Sequence, residues 1–257
     1  MRASTNTIPP YSPPAVCGTS KEAINASSRL ERPSGPTGKR WRVAVMAALA
    51  CLAGSAQAAI SVPPASPITL DTAPDVADWS TTGGVRGAGN TELTAAALDA
   101  AVEAVPASTI NEAMATDSAY NTHGHAYWNS TALTIFTRPT GDAYSQFMAT
   151  LRNGTGGGAT KLTISYDLGT GNQPSQTEEI PGWRVFYSLT GDANSWVLIP
   201  ELTGITTAGR LSVTVDLAGT WGAGANLYVL WVDDNGDGFT DAYCSIDNVI
   251  FDATGGP

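Results

Sequence analysis

From residue 126 onward the chain alternates. Leu162, Ile164 and Tyr166 are separated by Thr163 and Ser165, and Leu211, Val213, Val215 and Leu217 by Ser212, Thr214 and Asp216. Successive side chains on a strand point to opposite faces, so each segment predicts a strand with one dry face and one wet one. Less regular β-rich runs cover 127–136, 146–151, 183–188, 195–199, 227–232 and 245–251. Clusters of Gly, Asn, Asp and Thr at 154–158, 169–172, 191–194 and 219–224 punctuate them as turns. Eight strands at this spacing, with no βαβ alternation and no internal repeat, predict a mainly β fold. The expected form is an antiparallel two-sheet β-sandwich of jelly-roll type.

One stretch has the helical period instead. Leu93, Ala97, Leu98, Ala101, Val102 and Val105 form a single stripe, which predicts a short helix over 91–105. Thr91 is its expected cap, Glu92 favours its first turn and Pro106 ends it. The domain is therefore expected at 91–252, a sandwich with a leading helix. Residues 59–90, rich in Pro and Gly, read as a linker or an irregular lead-in, and 253–257 as a linker-like tail.

The N-terminal part has a different character. Lys39, Arg40 and Arg42 precede an apolar run at 43–54, and Ala56-Gln57-Ala58 follows. This is the pattern of a secretory signal peptide, with cleavage expected after Ala58. The run is shorter than the roughly 20 residues of a membrane span, so no membrane insertion is expected once it is removed. A lipid anchor at Cys51 is the rival reading, but Ala48 stands where such sites prefer Leu. Residues 1–58 hold seven Lys/Arg and two Asp/Glu, a net of +5, so residues 59–257 keep six against 21, a net of −15. A surface that acidic repels phosphate backbones and anionic membranes, which excludes a nucleic-acid partner. Cleavage also leaves Cys244 as the last cysteine of three, so no internal disulfide is expected and a small buried hydrophobe is its expected role.

The densest chemistry is Asp233-Asp234-Asn235-Gly236-Asp237-Gly238-Phe239-Thr240-Asp241. Oxygen ligands at alternate positions, with Gly permitting a sharp turn, are suited to a hard cation such as calcium. Asp233, Asn235, Asp237 and Asp241 are the expected ligands, with Asp247 reaching in from the next strand. Position 12 of an EF-hand-like loop wants a bidentate acid, and here it is Cys244. The competing reading is an acidic hairpin tip whose side chains bond their own backbone.

The run Leu227-Tyr228-Val229-Leu230-Trp231-Val232-Asp233-Asp234-Asn235-Gly236, followed by Ile246-Asp247-Asn248-Val249, resembles the closing hairpin of β-sandwich accessory modules in secreted bacterial proteins. Those modules carry an L-Y-x-x-W-x-D-x-N strand and loop, then I-D-N or I-D-D in the last strand. The segments at 183–191, 195–200 and 209–212 resemble the same modules, so the likeness spans about 126–252. The likeness implies a jelly-roll accessory module of surface proteins or exported hydrolases, without a catalytic centre of its own and with a catalytic domain expected in a longer parent protein.

Other residues of the chain have chemical potential of their own. His123-Gly124-His125 puts two imidazoles on one face if extended, a start for zinc, against the commoner exposed loop pair. Glu178-Glu179 point apart on a strand and read as a solvated edge rather than a glycosidase pair. No G-x-S-x-G, H-E-x-x-H or P-loop occurs. Of the six Trp beyond the leader, Trp221 stands among Gly219, Gly222 and Gly224 and is the expected exposed platform for a sugar ring, while Trp in a sandwich generally fills the core. The sequence thus predicts a secreted or cell-surface module that binds or displays, stabilised by calcium, with a carbohydrate-binding module of a secreted hydrolase as the alternative. Its partner would be a glycan or another cell-surface component.

Overall fold

Chain register explains the architecture. A computed structural model of the chain describes residues 59–64, 66–82, 93–117, 126–139, 143–171, 180–235 and 242–256. The strands are β1 (Ile60–Val62), β2 (Trp79–Thr81), β3 (Ala115–Thr116), β4 (Tyr127–Asn129), β5 (Thr134–Thr137), β6 (Tyr144–Asn153), β7 (Ala159–Thr170), β8 (Trp183–Ser188), β9 (Val197–Leu198), β10 (Gly209–Trp221), β11 (Asn226–Asp234) and β12 (Cys244–Thr254). The helix α1 (Ala95–Glu103) lies between β2 and β3, and single 3-10 turns occur at Ala107–Thr109 and Pro200–Leu202.

Two six-stranded sheets form a sandwich, as the alternation requires. The first sheet runs β1-β6-β11-β8-β9, with β2 also on β6; the second runs β10-β7-β12-β5-β4-β3. The main ladders are antiparallel, but β1 pairs with β6 and β3 with β4 in parallel. β1 and β2 share one edge of β6, pairing with its residues 151–153 and 147–149 in turn. Within the stretch expected as a linker or irregular lead-in, Ile60–Val62 and Trp79–Thr81 are therefore strands of the first sheet, and Leu70 and Trp79 lie in the core. The C-terminal tail begins later than expected too, because β12 continues to Thr254. The single run expected at 127–136 is a hairpin instead. Asn129 Oδ1 accepts from the amides of Thr131 and Ala132, and Leu133 turns through φ +57°.

The inner faces pack Leu162, Ile164, Tyr166, Leu227, Val229, Trp231 and Phe251 into one core. Phe147 stacks on Trp231 with ring centroids 5.0 Å apart and meets Trp183 edge-on at 5.4 Å, geometries that add to simple burial. Cys244 is buried in this core. A second core covers the outer face of the first sheet, where Leu98 and Val102 of α1 meet Met148, Phe186, Leu230 and Val232.

The helix is shorter than the apolar stripe. Thr94, not Thr91, is the N-cap, and its side chain accepts from the Ala97 amide at 3.2 Å; Thr91 is outside the described residues. Asp99 anchors α1 to the sheet through a two-pronged pair with Arg184, at 2.6 Å to Nε and 2.5 Å to Nη2. Among the described residues no helix is long and apolar enough to cross a membrane.

Candidate functional site

The sandwich has two poles. At one, β11 ends and β6, β8 and β12 begin, as the register pairs Asp234 with Tyr144, Asp233 with Trp183 and Cys244 with Thr137 show. This is the pole of the acidic loop. Asp233 faces the second sheet from β11, Asn235 stands one residue past the strand's end, and both are buried. The Asp233 carboxylate accepts from Thr137 Oγ1 at 2.5 Å, and Thr137 Oγ1 accepts from Trp183 Nε1 at 2.7 Å. Asp237 and Asp241 lie outside the described residues, as do His123, His125, Glu178 and Glu179.

Asp247 has a partner of its own in the fold. It sits in the second sheet, three residues into β12 and opposite Asp167, and its Oδ1 accepts the Leu70 amide at 3.1 Å. That carboxylate oxygen caps the backbone of the segment that bridges to Val249. No group of three or more His, Cys, Asp or Glu gathers among the described residues.

Trp221, expected as an exposed platform, is buried. It is 1% exposed, its Nε1 donates to the Ala225 carbonyl at 3.0 Å, and its own carbonyl accepts from Asn153 Nδ2 at 2.8 Å. Its glycine-rich surroundings form the turn that closes over it, so no indole face is offered to a sugar. Trp79, Trp183, Trp196 and Trp231 are buried as well, and the half-buried Trp128 donates to the Leu70 carbonyl.

Among the described residues a concavity lies near the other pole, on the outer face of the first sheet. It is a cleft of about 400 Å³, within the range of small-ligand sites. Its floor is Met148 and Thr150 of β6 with Asn226 and Tyr228 of β11. Register makes this local: Tyr228 pairs with Thr150, and Leu230 with Met148, so alternate residues of both strands share the outer face. One wall is the β8–β9 loop at Thr190, Gly191 and Asp192. The other is a strap at 106–111, with Val76 and Ser80 behind it.

The strap is fixed at both ends. The Ala107 amide donates to the Gly191 carbonyl at 2.8 Å, and Trp196 Nε1 donates to the Val105 carbonyl at 2.7 Å. At its far end Thr81 and Glu112 exchange two backbone bonds of 2.9 Å, and Ser80 Oγ donates to the Ile110 carbonyl at 2.7 Å. Gly191 turns at φ +74° directly beside the Tyr228 ring: a Cβ there would lie 2.7 Å from Cε2. The half-buried Tyr228 ring is thereby held edge-on to the loop, with its neighbours fixed by backbone bonds.

Several polar groups of the cleft have no fold duty. The Asn226 amide and the Asp192 carboxylate make no side-chain hydrogen bond or ion pair among the described residues, in contrast to Asn111, whose Nδ2 is committed to the Ser108 carbonyl. Outside the lining, between Val76 and Ser80 in the chain, Asp78 has its carboxyl pKa raised, first by burial and then by the neighbouring Asp75 charge. Tyr228, Asn226 and Asp192 were not singled out for a site by sequence reasoning. They come from two unconnected segments, and no spacing rule links either to the strap.

No family model matches the chain, and no curated protein matches it. Among solved structures, a xylanase variant from Cellvibrio japonicus in complex with xylopentaose overlaps at a TM-score of 0.33 and 12% identity, covering 55% of this chain and 26% of that one. The chain thus spans about a quarter of the xylanase. A carbohydrate-binding module that recognises mannan overlaps at 0.32 and 13% identity, covering 74% and 97%. The K1 adhesin domain of Lys-gingipain from Porphyromonas gingivalis overlaps at 0.32 and 16% identity, covering 73% and 97%. The chain is a β-sandwich distantly similar to such modules, and overlap of this extent assigns it neither a ligand nor a family.

Proposed function

We propose that the chain is an exported, non-catalytic binding module that seats a glycan in the cleft over Tyr228. One observation carries this reading: a half-buried aromatic ring is bordered by amide and carboxylate groups that the fold does not use. Sugar rings pair an apolar face with a rim of hydroxyls, and such a lining matches both. Among the described residues lining the cleft Asp192 is the sole acid, whereas glycoside hydrolysis generally employs two carboxylates. Export rests on the signal-like segment at 39–58, and a place at the cell surface or outside the cell follows from it.

Calcium enters this reading as a structural ion at the acidic pole, held by Asp233, Asn235, Asp237 and Asp241. The burial of Asp233 and Asn235 together at the end of β11 supports it. β11 runs from Asn226 in the cleft to Asp234 at that pole, about 26 Å at the usual rise of a strand. The ion would therefore stiffen the fold without touching the glycan.

Calorimetric titration of the purified chain against neutral manno-, cello-, xylo- and chito-oligosaccharides tests the proposal. Heat of binding to at least one, lost in Asn226→Ala with the melting temperature unchanged, is the expected result. Silence across the panel removes the glycan reading and leaves a display scaffold.

A further inference from the structure

The outermost strands of the two sheets are unequal. β1 and β2 hold three residues each on one edge of the first sheet, β9 holds two on the other, and β3 closes the second sheet with two. The fourth edge is β10, with 13 residues. Its ladder with β7 is unbroken from Gly209 to Asp216 and shifts only between Asp216 and Trp221, where the Ala218 amide donates to Tyr187 Oη at 2.8 Å. Alternate residues of an outermost strand turn their N–H and C=O groups away from the sheet, a template for another strand. Among the described residues no loop, turn or side chain takes up those groups between Gly209 and Leu217. That stretch has no Pro, no Lys and no bulge, the devices that blunt an edge. Its core-side residues Leu211, Val213, Val215 and Leu217 are all apolar and only partly buried. Its two charges, Arg210 and Asp216, are of opposite sign.

Independently of the cleft and its ligand, we infer that β10 pairs with β10 of a second copy of this chain, antiparallel about a twofold axis at Val213. When identical strands pair this way, the numbers of opposed residues have a constant sum. That sum must be even, or the wet face of one strand would oppose the dry face of the other. Of the even registers, the one centred on Val213 sets Arg210 opposite Asp216 of the second copy, and does so twice. Ser212 then opposes Thr214 of the second copy. This repeats the hydroxyl pairs already made with β7, Ser212 with Ser165 at 2.7 Å and Thr214 with Thr163 at 2.8 Å. On the other face Leu211 meets Val215 of the second copy, and Val213 meets its own counterpart. The charges continue across the join. Asp216 already pairs with Lys161, and Arg210 Nη1 donates to Asp167 at 3.2 Å and to the Asn248 carbonyl at 2.7 Å. The joined sheet thus carries the row Lys161, Asp216, then Arg210 and Asp167 of the second copy, alternating in sign at every step. The Asp216 side chain is 82% exposed, and Arg210 Nε and Nη2 make no bond among the described residues, so both can reach across. Beside Thr214 and Val215 a hollow of about 270 Å³, lined also by Val197 and Pro200, leaves room for the apolar side chains of the incoming strand.

The test is analytical ultracentrifugation of the purified chain from about 5 to 500 μM, at about 150 mM NaCl, where a Debye length of about 8 Å screens the general repulsion between two acidic molecules. A join one strand wide is a small interface, so a monomer–dimer equilibrium in the micromolar range is expected. Asp216→Arg sets like charges opposite each other twice and should weaken the dimer about tenfold or more. That variant should keep its fold, because the side chain is exposed and bonds only Lys161 among the described residues; a melting curve checks it. Register is read by cysteine cross-linking. Directly opposed residues of an antiparallel pair have Cα atoms about 4.5–5.5 Å apart, within reach of a disulfide. Val213→Cys should therefore give a disulfide-linked dimer under mild oxidation, above the level in the native chain. Leu211→Cys should not, because it is offset from its counterpart by four residues, about 13 Å along the strand. A monomer at every concentration overturns the inference and leaves the edge to an extended segment of another protein. A dimer that a folded Asp216→Arg leaves unweakened, or cross-linking through Leu211→Cys in place of Val213→Cys, overturns it as well.

Discussion

Replacing Gly191 by Ala probes the fold and the cleft at one atom. The new methyl group would sit 2.7 Å from Tyr228 Cε2 and 2.8 Å from Ala107 Cβ, in a backbone at φ +74°. Holding an alanine in that left-handed region costs roughly 1–2 kcal/mol. Forcing two packed neighbours aside costs roughly 1–3 kcal/mol more. Against this, alanine restricts the unfolded chain and favours folding by roughly 0.4–1 kcal/mol. The strain and clash outweigh the entropy, giving a net loss of about 2–3 kcal/mol near the middle of these ranges. Neither neighbour can retreat cheaply: Tyr228 is mid-strand in β11, and Ala107 is tied to the Gly191 carbonyl itself. Urea denaturation followed by tryptophan fluorescence should show a lower midpoint with an unchanged slope. Gly157→Ala is the control, because a Cβ there meets nothing within 4 Å; it should be neutral or slightly stabilising. Stability of Gly191→Ala within about 0.5 kcal/mol of the native chain would refute the reasoning, since it would mean that the loop and the Tyr228 ring are not locked together.

Three further expectations are separable. Trp221→Ala should cost about 3–5 kcal/mol as a core truncation, whereas an exposed sugar platform would lose affinity and keep its unfolding midpoint. Asp78 has a raised pKa in the folded chain, so its ionised form opposes folding at neutral pH, and stability is gained as pH falls through the folded value. Asp78→Asn should therefore melt higher at pH 7 by under about 1 kcal/mol, given its partial exposure, and lose that advantage well below pH 3.8, where both states are protonated; equal melting at both pH values contradicts this. Millimolar calcium should raise the melting temperature over EGTA, by about 2.7 kcal/mol of stability at a hundredfold excess over Kd. The difference should vanish in Asp237→Ala; no difference in the native chain reduces the loop to a turn.

Where one face of a strand is wet, the sequence reveals it. β7 and β10 alternate because Thr163, Ser212 and Thr214 lie on the wet face with the more covered Ser165, and they bond across the ladder, Thr163 to Thr214 at 2.8 Å and Ser165 to Ser212 at 2.7 Å. β11 shows no such period. Leu227, Val229 and Trp231 enter the core between the sheets, while Leu230 and Val232 enter the core under α1, so both faces are apolar. β1 and β2 are three residues each and cannot display a period at all; their partner, β6, defines them. The helix was legible as a stripe, though its cap was displaced because Thr91 and Thr94 are both capable residues and the end is decided by tertiary contact. Composition misled at Trp221, where turn-forming glycines surround a buried ring. It was silent on the cleft, which brings together residues 76–80, 106–111, 148–150, 190–192 and 226–228.

The two-faced burial of β11 has a consequence for synthesis. Neither core can close before residues 226–234 have been made, since that strand supplies side chains to both and a ladder to β6 and β8 on either side. The bridge from Ile68 to Val249 waits longer still. Contacts so remote along the chain form late and leave the growing polypeptide open. For a chain proposed to leave the cell behind a signal segment, that delay is compatible with threading first and folding afterwards: the last quarter of the chain carries the strand that locks the rest.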